Sequence, residues 1–564
     1  MISVSGKKWK EKKINNNLCE KIQQDNNFSK ILSQLVVSRN FDKDEIYLIN
    51  NHLDLSNVFQ NNDDFNKSIC LVLESIKKKE KICILGDYDV DGSTATSLFV
   101  KLFDNLNHPY FYYIPDRVKD GYGASVKLLS NLIVKKPKLV IMVDCGSNST
   151  DAINFLNKKK IKSLIIDHHE IYRPYPKANA IINPKKNNGY LRYEILCATS
   201  LTYFFLEILI KKLKNNFNLK KYLIYVLLAT ICDVMPLRKI NRIIAKNALN
   251  DFKLSENKMF NELFLLNNKK DKINIDDLGY LIGPILNSGG RLGKSTYATE
   301  LLSTNDINKI KHKSLELTKL NNKRKKIESI FINDIDFNKL EKDNKDFIIY
   351  YNPNLNEGLI GIIAARLKEY FNKPAIVISK SNNILKGSAR SINQYNIGNL
   401  IKRLLDKKII LSGGGHNMAG GFTLNHKRLP DFKNFVLNDF TKKNTLNLNF
   451  LEYDFEISST ALNVNFFNEI KKIAPFGTGN PLPIFLLKNF KVIKSKVLNE
   501  KHVSCILRSN IGFTIKSICF HSTNTKLGEY LLSYKKNFHV VGQINENFYN
   551  NKKTLQLIIK DLIL

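Results

Sequence analysis

Four short stretches carry side chains able to hold divalent cations. Asp87, Asp89 and Asp91 alternate in Asp87-Tyr88-Asp89-Val90-Asp91-Gly92. Asp144 opens Asp144-Cys145-Gly146, the triplet Asp167-His168-His169 adds two imidazoles, and Asp233 follows Cys232. Carboxylate oxygen with imidazole nitrogen suits Mn²⁺ or Mg²⁺ better than a thiolate-preferring metal. So much negative charge in one place repels itself unless cations neutralise it. Two ions about 3.5–4 Å apart can activate a water and clamp the attacking and leaving oxygens of a phosphate ester, so phosphoester hydrolysis is the chemistry indicated. A calcium loop fits less well, because the twelfth position counted from Asp87 is Leu98, not Glu.

Each stretch follows an element that can position it. Lys81–Gly86, Leu139–Val143 and Ser163–Ile166 are apolar runs of strand length, and the apolar run Tyr222–Ile231 reads as a helix ending at Cys232-Asp233. Short apolar runs separated by helical segments have the βαβ rhythm of a mostly parallel sheet, whose strand ends line a ligand crevice. Asp87, Asp89 and Asp91 are expected to face one way as alternate residues of a strand end, ahead of a helix opened by Ser93 and Thr94.

The chain is α/β. Residues 1–80 are polar and Asn-rich and read as an N-terminal extension packing on the first α/β domain, 81–303. Thr304–Asn352 lacks both Gly and Pro, and Leu315, Leu317, Leu320, Ile327 and Ile330 recur at helical spacing, which predicts a helical connector over 304–345. A second α/β domain follows at 346–447, with a Gly-rich turn at Gly413–Gly421. Short alternating runs from 448 to 564 predict a small β-barrel or sandwich.

The 564 residues include 43% hydrophobic and 10% aromatic side chains, enough for large cores and against wholesale disorder. No apolar run reaches the ~18–20 residues of a membrane span. The N-terminus has no apolar leader region, and eight scattered cysteines without a CxxC fit a reducing cytoplasm. The net charge is +35, but 74 of 87 basic residues are Lys, beside abundant Asn and Ile. Part of that charge is compositional bias; the remainder favours a polyanionic partner.

With these motifs in this order the chain resembles the DHH phosphoesterase superfamily, and within it the RecJ single-stranded-DNA-specific exonucleases. Ile114–Gly123, Asn287–Gly293, Gly387–Ser391, Gly413–Phe422 and Pro475–Pro483 extend the resemblance over nearly everything beyond residue 80. It implies a DHH domain at 81–303, a DHHA1 domain at 346–447 and an OB-like nucleic-acid-binding domain at 448–564. It further implies a 5′→3′ exonuclease that releases nucleoside 5′-monophosphates from single-stranded DNA in recombination and repair, using two Mn²⁺ or Mg²⁺ ions. By resemblance, Asp89, Asp91, Asp144, His168 and Asp233 are metal ligands with Asp87 close by, and His169 acts near the scissile phosphate. Arg117, Asn287, Arg291, Ser388, Arg390 and His416 would contact the substrate. Arg is scarce here, yet three of 13 fall in Gly-flanked turns (Arg117, Arg291, Arg390), where a planar guanidinium grips phosphate bidentately.

Single-strand-binding protein and a helicase are the expected partners of a cytoplasmic monomer. Phe476, Phe490, Phe520, Tyr530 and Phe538 are candidate base-stacking residues of the last domain. Two other readings compete: a small-substrate phosphodiesterase acting on nanoRNA or cyclic dinucleotides, and a non-catalytic nucleic-acid scaffold. The C-terminal β module argues against the first and the intact metal motifs against the second.

Overall fold

The structure, a computed structural model, describes residues 2–564 except 52, 117–118, 122, 187–192, 270–271, 344–345, 382, 393–394, 444–449, 534–535 and 550–551. The chain divides into two compact units. One comprises 59–233 and 252–447; the other gathers 1–58, 234–251 and 448–564.

The larger unit holds the motif-bearing strands. β1 (Ile82–Leu85), β2 (Tyr110–Tyr113), β3 (Leu139–Val143), β4 (Lys162–Ile166) and β5 (Ala180–Ile182) form an all-parallel sheet in the order β2-β1-β3-β4-β5. β1, β3 and β4 are buried along their whole length or nearly so, as expected of a sheet covered on both faces. Helix α1 (Val90–Asn105) is buried almost all round despite its Ser and Thr content. Its hydroxyls bond within the helix: Thr96 Oγ1 donates to the Gly92 carbonyl at 2.8 Å and Ser97 Oγ to that of Thr94 at 2.7 Å. α1 packs against α2 (Ala198–Leu213) and α3 (Leu223–Cys232).

Downstream in the same unit, α4 (Gly283–Arg291) packs against the 27-residue α5 (Ile307–Asn333) in the predicted connector. A second sheet follows, built from β6 (Ile348–Tyr351), β7 (Ala375–Ser381), β8 (Ile384–Arg390), β9 (Ser412–Gly415) and β10 (Ala419–Asn425) in the order β9-β10-β8-β7-β6. Only β6 and β7 pair in parallel. Helix α6 (Ile360–Phe371) lies against β7 and β8.

The smaller unit is a barrel-like sheet. Phe455–Glu456, Ile484–Leu498, His502–Ser509, Thr514–Cys519, Lys552–Ile563 and Phe538–Tyr549 pair in that order, and Ile484–Leu498 also pairs with Phe538–Tyr549 to close the sheet on itself. Residues 1–58 belong to this unit. Leu32, Leu35 and Val36 share one core with Phe467, Ile470, Phe485 and Val540, and Lys8–Glu11 pairs in parallel with Phe450–Tyr453. The expectation that 1–80 packs on the first α/β domain therefore needs correcting for 1–58; only the last part, including the helix Asp63–Lys77, belongs to the larger unit. The reason is that the amphipathic helix Lys30–Ser38 buries its apolar face among barrel residues. Of the five aromatic candidates, Phe490 and Phe538 lie in the barrel core, Phe476 and Tyr530 are partly buried against it, and Phe520 is half exposed.

A buried ion pair ties the two ends of the chain together. Asp454 accepts from Arg39 Nη1 at 3.2 Å, Lys12 Nζ at 3.0 Å, Ser38 Oγ at 3.2 Å and the Ile484 amide at 2.9 Å, while Arg39 also donates to the Pro481 carbonyl. Both side chains are at most 3% exposed. Removing one partner leaves a buried charge uncompensated, so Asp454→Ala should cost about 3–5 kcal/mol in the urea unfolding of this unit. A loss under 1 kcal/mol would show that the pair is solvated.

Candidate metal centre

β1, β3 and β4 are neighbours in register, with Leu85 opposite Met142 and Val143 opposite Ile166, so their motifs leave the sheet along one edge. Strand order reverses at β1, between β2 and β3, which opens a crevice beyond the strand ends.

Asp87, Asp89 and Asp91 are not an extended strand tail. β1 ends at Leu85 and α1 starts at Val90, with Asp89 as its N-cap: Asp89 Oδ1 accepts from the Gly92 amide at 3.0 Å. The tight turn requires Gly92, because a Cβ there would sit 2.5 Å from the Asp87 nitrogen. Helical winding rather than strand alternation disposes these carboxylates. It sends Asp87 and Asp89 towards Asp144, and Asp91 towards His168 and Asp233.

Asp91 is buried and its carboxylate caps another helix. Oδ2 accepts from the Ala198 amide at 2.7 Å and Oδ1 from the Thr199 amide at 2.8 Å, both in the first turn of α2. That helix end supplies unpaired N–H groups and a partial positive charge. Asp144 is held at φ 62°, in the left-handed region that Asp tolerates better than most residues. Asp233 follows the last residue of α3 and is partly exposed.

Asp167 organises the two histidines. Its Oδ1 accepts from the amides of His168 at 2.8 Å and His169 at 3.1 Å and faces His169 Nδ1 at 2.8 Å; Oδ2 accepts from the Ser147 amide at 3.0 Å. Burial alone would raise its pKa. The His169 hydrogen bond and charge, with His168 and Ser147, hold it below the usual carboxylate range instead.

His168 Nε2 lies 3.3 Å from Asp144 Oδ1, 3.4 Å from Asp233 Oδ2 and 3.7 Å from Asp91 Oδ2. Asp144 Oδ1 and both His168 ring nitrogens are buried without a hydrogen-bond partner. Buried polar atoms are rarely left so unless an ion satisfies them. Three overlapping groups of potential ligands occur among the described residues: Asp87/Asp89/Asp144, Asp91/His168/Asp233 and Asp144/His168/His169. Oxygen donors mixed with one or two imidazoles fit Mn²⁺ or Mg²⁺.

The electrostatics agree with a site built for cations. Burial pushes Asp144 and Asp233 well above the usual carboxylate range and raises Asp89, and the neighbouring carboxylates, Asp91 first, add to it. Burial, then the charge of His169, lowers His168 to about 4, leaving it neutral as a ligand must be. Burial opposes the charge on His169, but the bond and charge of Asp167, with Asp233 and Asp89, raise it to about 9.

The proposed substrate contacts divide into two places. His416, in the Gly-rich loop between β9 and β10, brings its ring centroid to 6.4 Å from that of His169, and its Nδ1 to 4.0 Å from Glu170 Oε1. Asn287 and Arg291 lie on α4, which touches the Asp87–Asp91 turn: a Cβ on Gly290 would be 2.7 Å from the Tyr88 carbonyl. Arg291 Nη1 donates to the Gly358 carbonyl at 3.2 Å. Arg390 Nη1 donates to Ser388 Oγ at 3.0 Å, and Arg390 Nη2 and Ser388 Oγ lie against Gly361 near the start of α6. Arg291, Ser388 and Arg390 thus gather around 358–361, and Arg291, with Asp116, Lys323, Asn356 and Gly358, lines a cavity of about 330 Å³. Arg117 lies outside the described residues.

Sequence reasoning missed the supporting groups. Asn183 Nδ2 donates to Ser147 Oγ at 2.8 Å and to the His169 carbonyl at 2.9 Å, and the α2 amides hold Asp91. A signal existed for Asn183, which follows the apolar run Ala180–Ile182 as the metal motifs follow theirs.

The shifts fix the sign of a pH effect on the metal-free protein. His169 has a folded value above its unfolded 6.5, so its contribution is complete below pH 6.5 and is lost as pH rises through about 9. The raised carboxyls lose theirs as pH rises through their own elevated values. His168, lowered to about 4, acts oppositely but only below pH 6.5. Between pH 6.5 and 9 the chelator-treated protein should lose about 4 °C in the Tm of its larger unit, and Mn²⁺ should restore it. A flat Tm over that range, in calorimetry, would contradict this electrostatic picture.

The DHH family N-terminal domain matches residues 81–231, the DHHA1 domain 344–442 and the RecJ OB domain 453–561. The single-stranded-DNA-specific exonuclease RecJ of Haemophilus influenzae is 30% identical over 518 residues, covering 87% of this chain and 89% of that protein. The RecJ of Bacillus subtilis is 27% identical, covering 99% and 71%. The fold is similar to that of Thermus thermophilus RecJ in complex with Mn²⁺, with a TM-score of 0.81 at 20% identity over 97% of this chain and 78% of that one.

Proposed function

This chain belongs to the RecJ family of single-stranded-DNA-specific exonucleases, and from that premise we infer that it hydrolyses single-stranded DNA at the carboxylate–histidine centre. The observation that carries the reading is His168 Nε2, buried without a hydrogen bond among three carboxylate oxygens at 3.3–3.7 Å. Asp89, Asp91, Asp144, His168 and Asp233, with Asp87 beside them, would hold two Mn²⁺ or Mg²⁺ ions. Bound there, the ions supply an activated water and neutralise charge on the scissile phosphate.

The protein's own groups orient and exclude. Asp167 fixes the His169 ring through Nδ1; a protonated His169 then offers its other nitrogen to a phosphate or leaving oxygen. Arg291, Ser388 and Arg390, gathered around 358–361, would bind the 5′-phosphate, with Asn287 on the same helix as Arg291, and His416 faces the centre from the DHHA1 side; Arg117 is a further phosphate contact by family resemblance alone. We read the strand as passing between the metal centre and the DHHA1 side, where His416 faces His169, and a crevice too narrow for a duplex would account for single-strand selectivity. The strand enters by its 5′ end and nucleoside 5′-monophosphates leave.

We read the chain beyond residue 80 as DHH over 81–303, connector over 304–345, DHHA1 over 346–447 and an OB-like module over 448–564, with 234–251 packed in the unit that holds the last of these, where half-exposed Phe520 can stack a base. Among the described residues no helix is long and apolar enough to cross a membrane. By analogy with the family we propose roles in recombination and repair with single-strand-binding protein and a helicase as partners, and take a monomer as the default state. The small-substrate and scaffold readings are not favoured: the first has no use for the OB-like module, and the second leaves the ligand groups unexplained.

The test is hydrolysis of a 5′-labelled single strand beside the blunt duplex and an RNA of equal length, with Mg²⁺, Mn²⁺ or chelator. Labelled mononucleotide should appear from single-stranded DNA alone and only with metal. Asp144→Asn should lower turnover at least about 1,000-fold without lowering the metal-free Tm, because it removes like-charge repulsion. Cleavage confined to dimers and trimers would favour the small-substrate reading, and binding without cleavage the scaffold.

A further inference from the structure

One cation beside the centre has no role in the family motifs read above. β5 ends at Ile182 and is followed by Asn183-Pro184-Lys185. Asn183 is 3% exposed, and the amide that grips the His169 carbonyl and Ser147 also folds this turn: its Oδ1 accepts from the Lys185 backbone amide at 2.9 Å. One buried side chain thus sets the position of His169 and of Lys185 together. Lys185 Nζ lies 3.0 Å from Glu170 Oε1, the same oxygen that stands 4.0 Å from His416 Nδ1. Its charge is felt at His168, Asp233 and His416.

A partly exposed Lys–Glu pair is worth little to stability, so stability does not account for a lysine fixed by a buried asparagine. Electrostatic need does. A DNA strand must bring phosphates up to a cluster of six acidic side chains, Asp87, Asp89, Asp91, Asp144, Asp167 and Asp233, and a cation at the approach offsets that repulsion. An unrestrained ammonium would instead settle on Asp233 and compete with the divalent ions. Glu170, immediately after the Asp-His-His triplet, holds Lys185 at the rim.

We propose that Lys185 contacts a backbone phosphate of the bound strand, and that Glu170 holds it in the free protein and releases it when the strand arrives. The proposal rests on the exonuclease reading above and adds a contact to that site. Lys is suited to such an exchange, being a point charge on a flexible stem that can change partner without the planar match Arg requires.

The experiment compares full-length wild type, Lys185→Met, Lys185→Arg and Glu170→Gln. A labelled single strand is titrated in chelator over a range of salt, Mn²⁺ affinity is measured by calorimetry, and single-strand hydrolysis is followed with Mn²⁺. Lys185→Met should reduce the slope of log affinity against log salt by about 0.7, the share of one phosphate contact. It should lower kcat/KM about 10- to 100-fold and leave Mn²⁺ affinity unchanged or tighter. Lys185→Arg should recover the salt slope. Glu170→Gln should keep the slope but weaken Mn²⁺ binding several-fold, as the freed ammonium turns to Asp233. An unchanged salt slope in Lys185→Met overturns the proposal, and so does weakened Mn²⁺ binding in that variant, which would mark a structural role. An inert wild type would instead defeat the exonuclease reading, while the salt slope would still decide whether Lys185 meets phosphate.

Discussion

Mutual repulsion among buried carboxylates is the constraint on which the site depends. Asp87, Asp91 and Asp144 are each at most 3% exposed, and in a low-dielectric interior such charges separate, take up protons or bind cations. The fold prevents separation. Asp91 is held by two amides at the start of α2, Asp89 by its role as the N-cap of α1, and Asp144 by a left-handed backbone between strand and loop. Asp167 is the exception that shows the rule. With three amides and a histidine around it, it stays ionised without a metal and serves as scaffold rather than as a candidate ligand. The repulsion left unrelieved at Asp89, Asp144 and Asp233 is the affinity offered to divalent ions.

A site so built works only if phosphate can approach carboxylates, which makes the basic groups as necessary as the acidic ones. They come from a second sheet and from α4, and backbone proximity is the means of bringing them close. Gly290 has no room for a Cβ against Tyr88, and Gly358 none against the Arg291 carbonyl. These two contacts hold α4 against the Asp87–Asp91 turn on one side and against the 356–361 segment on the other. The glycines that look like loose punctuation in the sequence are thus points of close packing between the acidic centre, α4 and the 356–361 segment.

The smaller unit follows a different logic. Its barrel closes on itself, and segments from the start, middle and end of the chain complete it: the Lys30–Ser38 helix fills its core, and Arg238 from 234–251 clamps Glu45. The buried Arg39–Asp454 pair joins segments more than 400 residues apart in sequence. A unit that draws on residues 1–58, 234–251 and 448–564 cannot form until all three segments have been synthesised.

The sequence alone determined the kinds of chemistry and the strands that carry it. Asp144 and Asp167-His168-His169 each follow an apolar run, and that juxtaposition marks a strand-end site because local hydrophobicity and strand length are local properties. The alternation of Asp87, Asp89 and Asp91 was legible too, but its geometry was not. Strand periodicity predicted one shared face, whereas the N-cap at Asp89 starts a helix and divides the three carboxylates between two ligand groups. Only the tertiary structure decided that Asp91 caps α2, that Asn183 supports His169 and aims Lys185, and that residues 1–58 complete the C-terminal barrel. Each of these is a hydrogen bond or an apolar contact between positions distant in sequence. Such contacts leave no period or motif in the chain, because what selects them is the burial of a polar or apolar group that must find a partner in space.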